Sequence, residues 1–175
     1  MRDYSTLAGL TVGYDIETDG LRPTRVHCIC IQEDREGAPV LRFGPHEIDK
    51  AVRLLETAKA VIAHNGIVYD NRVLARLHKF VAPKIVWDTL VLSRMLFGHL
   101  KESVDFELKR LAKLPDSPYQ FPGKMIGRHG LEAWGYRLGM HKGDYAKECA
   151  AEGIDPWAAF NDDMMEYCAR DVEVM

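Results

Sequence analysis

Two carboxylates, Asp15 and Glu17, stand in the run Val12-Gly13-Tyr14-Asp15-Ile16-Glu17. Apolar Val12, Tyr14 and Ile16 alternate there with Gly13, Asp15 and Glu17, the period of a strand with one apolar face. Both acids therefore project from the same side. Charges ~4 Å apart cost each other ~4 kcal/mol at an effective dielectric of about 20, so the pair needs compensation. Hard divalent cations supply it: Mg²⁺ and Mn²⁺ prefer carboxylate oxygen and water. Two such ions ~3.5–4 Å apart activate a water and stabilise the leaving oxygen of a phosphodiester. Four carboxylates would balance two dications.

Further acids occupy suggestive places. Asp70 closes His64-Asn65-Gly66-Ile67-Val68-Tyr69-Asp70, just after a short apolar run and just before a helical pattern. A helix N-terminus keeps a carboxylate ionised, so capping and metal binding are compatible. Tyr167 and Asp171 lie four apart in a helical stretch and share a face. Taken singly, each motif has a plainer reading: Asp15 and Glu17 as the solvated face of an edge strand, Asp70 as a cap, Tyr167 and Asp171 as core edge and surface. Asp15 to Gly20 brushes against a calcium-loop pattern, but Glu17 stands where Asp or Asn is needed and Val26 where Glu is needed. The seven histidines show no paired zinc spacing.

The elements that must position these groups can be read in outline. After the first strand, a turn at Asp19-Gly20 and Pro23 leads to Val26–Ile31, apolar on both faces, and then to a strand near Val40–Phe43, giving an antiparallel meander. Ile48, Ala51, Val52, Leu55 and Ala58 recur at helical spacing ahead of a short buried strand, Ala60–Ala63, which implies a crossover. Helical patterns follow at 71–80, 89–97, 106–112, 131–138 and 162–174, with Asn161 as N-cap of the last. Asp88 reads as a cap before Thr89. Trp134, at helical spacing with Leu131 and Leu138, reads as core. The segment from Leu114 to Gly130 carries three prolines and three glycines and reads as a long loop, whose Lys124, Arg128 and His129 are positioned to meet phosphates or simply to be solvated.

A length of 175 residues with 47% hydrophobic content fits one domain with a sizeable core. Lys and Arg number 23 against 26 Asp and Glu, a net charge of −3, which excludes a broad basic surface for duplex DNA and leaves only local nucleic-acid contacts. Cys28, Cys30, Cys149 and Cys168 include no CxxC pair, and Cys28 and Cys30 point the same way in a strand, so free thiols of a cytoplasmic protein are expected. No export signal or apolar run of ~18 residues appears, so no membrane partner is expected.

In order and spacing, Asp15-x-Glu17, Asn65 to Asp70, and Tyr167-xxx-Asp171 resemble the three exonuclease motifs of the DEDD superfamily, in its tyrosine-containing branch. The wording His64-Asn65-Gly66-xx-Tyr69-Asp70, the runs Asp88 to Arg94 and Leu131 to Gly139, and Lys142-Gly143 are similar to the N-terminal proofreading domain of family A DNA polymerases from short-tailed phages. The resemblance covers essentially the whole chain. It implies an α/β, ribonuclease H-like fold with a mixed central sheet flanked by helices, and a 3′-5′ exonuclease domain over residues 1–175. It further implies removal of nucleoside monophosphates from single-stranded 3′ ends of DNA during replication, with two ions, Mg²⁺ or Mn²⁺, and a polymerase as further domain or separate chain. By the same resemblance Asp15 would bridge both ions, Glu17 and Asp171 would complete the nucleophile-side ion, and Asp70 would hold the other through water. Tyr167 would orient the attacking water, since a phenol with pKa near ~10 is a poor base at neutral pH. Thr18, Leu21 and Asn65 match positions that contact the strand. An exoribonuclease and a non-catalytic nucleic-acid-binding module are the alternative functions.

Overall fold

The computed structural model describes residues 3–140 and 145–175; Lys142-Gly143 lies outside them. Strand β1 (Thr11–Thr18) pairs antiparallel with β2 (Val26–Glu33), which pairs antiparallel with β3 (Val40–Phe43). All three are rich in the β-branched and aromatic residues that suit a pleated surface. Helix α1 (Ile48–Glu56) buries Ile48, Ala51, Val52 and Leu55, a stripe at helical spacing, and carries the chain over the sheet. Strand β4 (Ala60–Ala63) then pairs parallel with β1, aligning Val12 with Val61. Helix α2 (Asp70–His78) follows, and β5 (Ile85–Asp88) pairs parallel with β4. The sheet order β3-β2-β1-β4-β5 puts β1 in the centre.

That order overturns the edge-strand reading of Asp15 and Glu17. Val12, Tyr14 and Ile16 are buried in the main core with Ile29, Ile31, Leu55 and Leu74. The opposite face is covered by α7 (Asp162–Val174), which packs Met164, Cys168, Ala169 and Val172 against Cys28 and Cys30 of β2. Gly13, on the side of Asp15 and Glu17, would place a Cβ 3.7 Å from Val172, so that face of β1 lies under α7. The Asn161 side chain accepts the Met164 N–H at 2.7 Å, the cap expected from the sequence. A cap contributes ~1 kcal/mol. Fully burying one large apolar side chain contributes ~1.5–3 kcal/mol, so packing rather than capping docks this helix.

Between the sheet and α7 lies a helical segment: α3 (Thr89–Leu96), a π-helical turn (Lys101–Asp105), α4 (Phe106–Leu111), a 3₁₀ turn (Gly123–Met125), α5 (Leu131–Leu138) and α6 (Tyr145–Ala151). The expected long loop is present, anchored by buried Phe121 and Met125 against Ala133. Trp134 is half-buried, edge-on to Phe97 with ring centroids 5.3 Å apart. Leu138, expected beside it, is exposed. β5, α6 and the π-helical turn were not legible in the sequence pattern. All four cysteines are free, and among the described residues no helix is long and apolar enough to cross a membrane.

Candidate active site

The carboxylates of Asp15 and Glu17 and the Cys168 sulfur lie within 4.8 Å of one another, the one such cluster among the described residues. Two come from β1 and one from α7, whose packing on the sheet brings them together. Cys168 donates to the Asp15 carbonyl at 3.5 Å. Asp171, one turn further along α7, is buried. Tyr167 is half-buried, its ring 5.8 Å from Tyr145 and 6.4 Å from Trp157.

Asp70, buried at the start of α2, lies close enough to Asp171 and Asp88 to feel their charge. Its carboxylate takes the backbone N–H of Ile16 as well as its own, contacts that favour ionisation, yet its pKa is pushed up to about 7. Burial is the largest cause, and the negative charges of Asp88 and Asp171 add to it. The same field acts beneath: burial first, then Asp70, Asp15 and Asp88, holds the Tyr14 phenol well above its usual pKa. An apolar-backed pocket that concentrates acids in this way favours a multivalent cation bound to oxygen. The donor set fits divalent metal.

The turn that delivers Asp70 is built from its own sequence. Asn65 sits at φ 64°, a left-handed conformation that Asn tolerates. At Gly66 a Cβ would come 2.4 Å from the Cβ of Ala63, so the chain can fold back on β4 only with glycine there. The Asp88 carboxylate accepts N–H groups from Asn65 and Ile67, both at 3.1 Å, and from Leu90 and Val91 at 3.0 and 3.2 Å. It caps α3, as expected, and also clamps the turn across the sheet edge. His64 hydrogen-bonds Thr89 at 2.9 Å, a local role.

Beside Glu17 opens a cleft of about 240 Å³ lined also by Thr18, Gly20, Leu21, Tyr69 and Trp157. Tyr69 donates to the Gly20 carbonyl at 2.8 Å and lies 2.7 Å from the Thr18 hydroxyl, which also reaches Gly20 at 3.1 Å. These bonds fix the wall next to Asp70. Leu21 is 92% exposed at the mouth, which rules out a core role. Tyr69, Trp157 and Cys168 were not singled out from the sequence; the Tyr69 position within the motif was the only signal. A larger cavity, about 710 Å³, lies at the other end of α7, near Gln32, Arg35 and Met175, and holds none of the four carboxylates. Lys124 pairs with Glu132 at 3.5 Å, His129 bonds Ser93 at 2.6 Å, and Arg128 is exposed; none of them lines the cleft.

No family model matches the chain. Two curated proteins do: a DNA-directed DNA polymerase of Escherichia phage T7, 37% identical over 91% of this chain, and one of Enterobacteria phage T3, 36% identical over 91%. The chain spans 25% of the length of each. Among solved structures, one titled "apo form of the nuclease" superposes with a TM-score of 0.52 at 23% identity, covering 94% of this chain and 67% of the other. The expected ribonuclease H-like architecture, a mixed sheet flanked by helices, is therefore borne out, as is the resemblance to short-tailed-phage polymerases. The chain is a homologue of the DNA polymerases of phages T7 and T3, matched over a quarter of their length.

Proposed function

We propose that residues 1–175 form a 3′-5′ exonuclease domain that removes nucleoside monophosphates from single-stranded 3′ ends of DNA, proofreading for a polymerase on the same or a separate chain. The observation that carries this reading is the clustering of Asp15 and Glu17 of β1 against α7, with Glu17 at a cleft open to solvent and the charge of Asp171 acting on the buried Asp70. Homology to DNA polymerases favours DNA over RNA as the strand.

Asp15, Glu17, Asp70 and Asp171 would hold two divalent ions, Mg²⁺ or Mn²⁺. When bound, such ions lower the pKa of an attacking water and stabilise the developing charge on the leaving oxygen. Burial and its acidic neighbours push the Asp70 pKa up to about 7, so a cation held there would displace a proton near neutral pH. The Tyr167 phenol orients the water, because it is too weak a base to take a proton at neutral pH. Leu21 and Trp157 offer apolar contact to the terminal nucleotide across the cleft, and Thr18 is fixed by Tyr69 and Gly20 where the sugar and last phosphate would enter. Asn65 contacts the strand further along.

The test is digestion of a 5′-labelled single-stranded oligonucleotide with Mg²⁺ or Mn²⁺. The product ladder should grow from the 3′ end, matched RNA should be cut more slowly, and Asp15→Ala should lower the rate on the order of a thousand-fold. Equal activity in that variant overturns the assignment. Binding of the strand without cleavage in Mn²⁺ would instead favour a non-catalytic module. Tyr167→Phe should lower turnover about 10-fold with metal affinity retained.

A further inference from the structure

Tyr145, on α6, lies outside every motif that carried the functional reading, yet it touches three parts of the site. Its ring centroid is 5.8 Å from Tyr167, with the planes 38° apart, and 5.9 Å from Trp157, edge-on. Trp157 in turn packs edge-on to Tyr167 at 6.4 Å. The three rings thus form one closed cluster between the cleft wall and α7. Such contacts are directional, because each ring edge is drawn to a neighbouring face, so a cluster of three restricts the rotamers of all its members.

The Tyr145 hydroxyl adds two further ties. It donates to the Pro156 carbonyl at 2.9 Å, immediately before Trp157, and accepts from the Asn161 amide at 3.0 Å. Asn161 is the residue whose other side-chain atom caps α7. The phenol pKa is raised, by burial first and with Cys149 and Glu17 adding, so the hydroxyl stays a donor across the neutral range. Tyr145 itself is 6% exposed and lines no part of the cleft. Trp157 is held from the other side by the buried His27, whose Nε2 lies 3.0 Å from its carbonyl.

We infer that Tyr145 is a positioning residue for the reaction: its ring sets the rotamer of Tyr167, and its hydroxyl, through Asn161, fixes the start of α7, the helix that carries Tyr167. This inference rests on the nuclease reading for its kinetic consequence and on geometry alone for its structural one. Tyr145 acts through Tyr167, so the two residues contribute as a unit.

Two measurements test it. In fluorine NMR of protein labelled with fluorotyrosine, the Tyr167 resonance, assigned with Tyr167→Phe, should move toward the value of an exposed tyrosine in Tyr145→Leu and stay in place in Tyr145→Phe. An unmoved Tyr167 resonance in Tyr145→Leu overturns the inference. In oligonucleotide digestion, Tyr145→Leu should lower kcat about 10-fold, as misplacement of a reacting group does. KM for the strand should change less than about threefold and Mn²⁺ affinity should be retained, while Tyr145→Phe should recover most of the rate. In a Tyr167→Phe background, Tyr145→Leu should cost nothing more. Losses that multiply in the double variant, or loss of Mn²⁺ binding in Tyr145→Leu, overturn a positioning role. If Tyr145→Leu does not fold, Tyr145→Phe decides the matter, since its smaller loss of rate should also vanish once Tyr167 is Phe. A wild type that cuts no strand sinks the nuclease reading and leaves the fluorine result to decide this one.

Discussion

Two buried aspartates, Asp105 and Asp70, meet opposite surroundings. Asp105, fully buried in the π-helical turn, accepts two N–H groups from Arg137 at 2.8 and 2.9 Å and the Gly127 amide at 2.7 Å. Arg137 also donates to the Arg128 carbonyl at 2.7 Å, with its guanidinium over the Trp134 ring at 4.9 Å. One ion pair thus ties the long loop to α5. Asp70, 4% exposed, has two backbone N–H groups but sits in the field of two further acids, and its pKa rises to about 7. The chain itself supplies the countercharge for Asp105, whereas the charged groups that act on Asp70 are two further acids, Asp88 and Asp171. The contrast is between an acid paired within the fold and one whose surroundings suit an added cation, although both are buried.

The same isosteric change should therefore have opposite effects at the two positions. Asp70→Asn should lower exonuclease turnover roughly a thousand-fold while leaving metal-free stability unchanged or higher in urea denaturation. Asp105→Asn should instead destabilise the protein by roughly 3–5 kcal/mol, because it leaves the Arg137 charge buried without its partner. Replacing both members, Asp105→Leu with Arg137→Met, should recover part of that loss. If Asp70→Asn proves as destabilising as Asp105→Asn, Asp70 belongs to the scaffold and the distinction between the two acids fails.

The sequence revealed one of these acids more readily than the other, for physical reasons. Asp15 and Glu17 were readable because a strand's period of two is local, and α7 because its apolar stripe and Asn161 cap lie within one helix. Asp70 was visible through its turn chemistry, but its electrostatic partner Asp171 is a hundred residues away, and no local pattern records that distance. β5 escaped notice because it is four residues long, buries only Asp88, and is a strand chiefly by virtue of pairing with β4. α6 escaped because its one buried side chain, Tyr145, gives no periodicity. Asp88 was recognised as a cap from its own neighbourhood; its second role, holding Asn65 and Ile67, depends on parallel strands brought side by side. Leu21 shows the converse, an apolar residue whose exposure no alternation could reveal.

The smallest expected effect is the pH dependence that Asp70 gives the metal-free protein. The Asp70 pKa is about 7 in the fold against 3.8 for the ordinary carboxyl, so between those values the folded state binds the extra proton. Its favourable contribution is thus complete below about pH 4 and lost as pH rises toward about 7. Urea denaturation with chelator should show the wild type losing roughly 2 kcal/mol between about pH 5 and 7 relative to Asp70→Asn, in which this group no longer titrates. Ionisable groups remote from Asp70 cancel in that difference. With Mn²⁺ present the sign inverts, because the cation requires the carboxylate: affinity should fall by up to about tenfold for each pH unit below about 7. Parallel pH curves for the wild type and Asp70→Asn would show that the Asp70 proton is not held by the fold, and the contrast with Asp105 would then rest on hydrogen bonding alone.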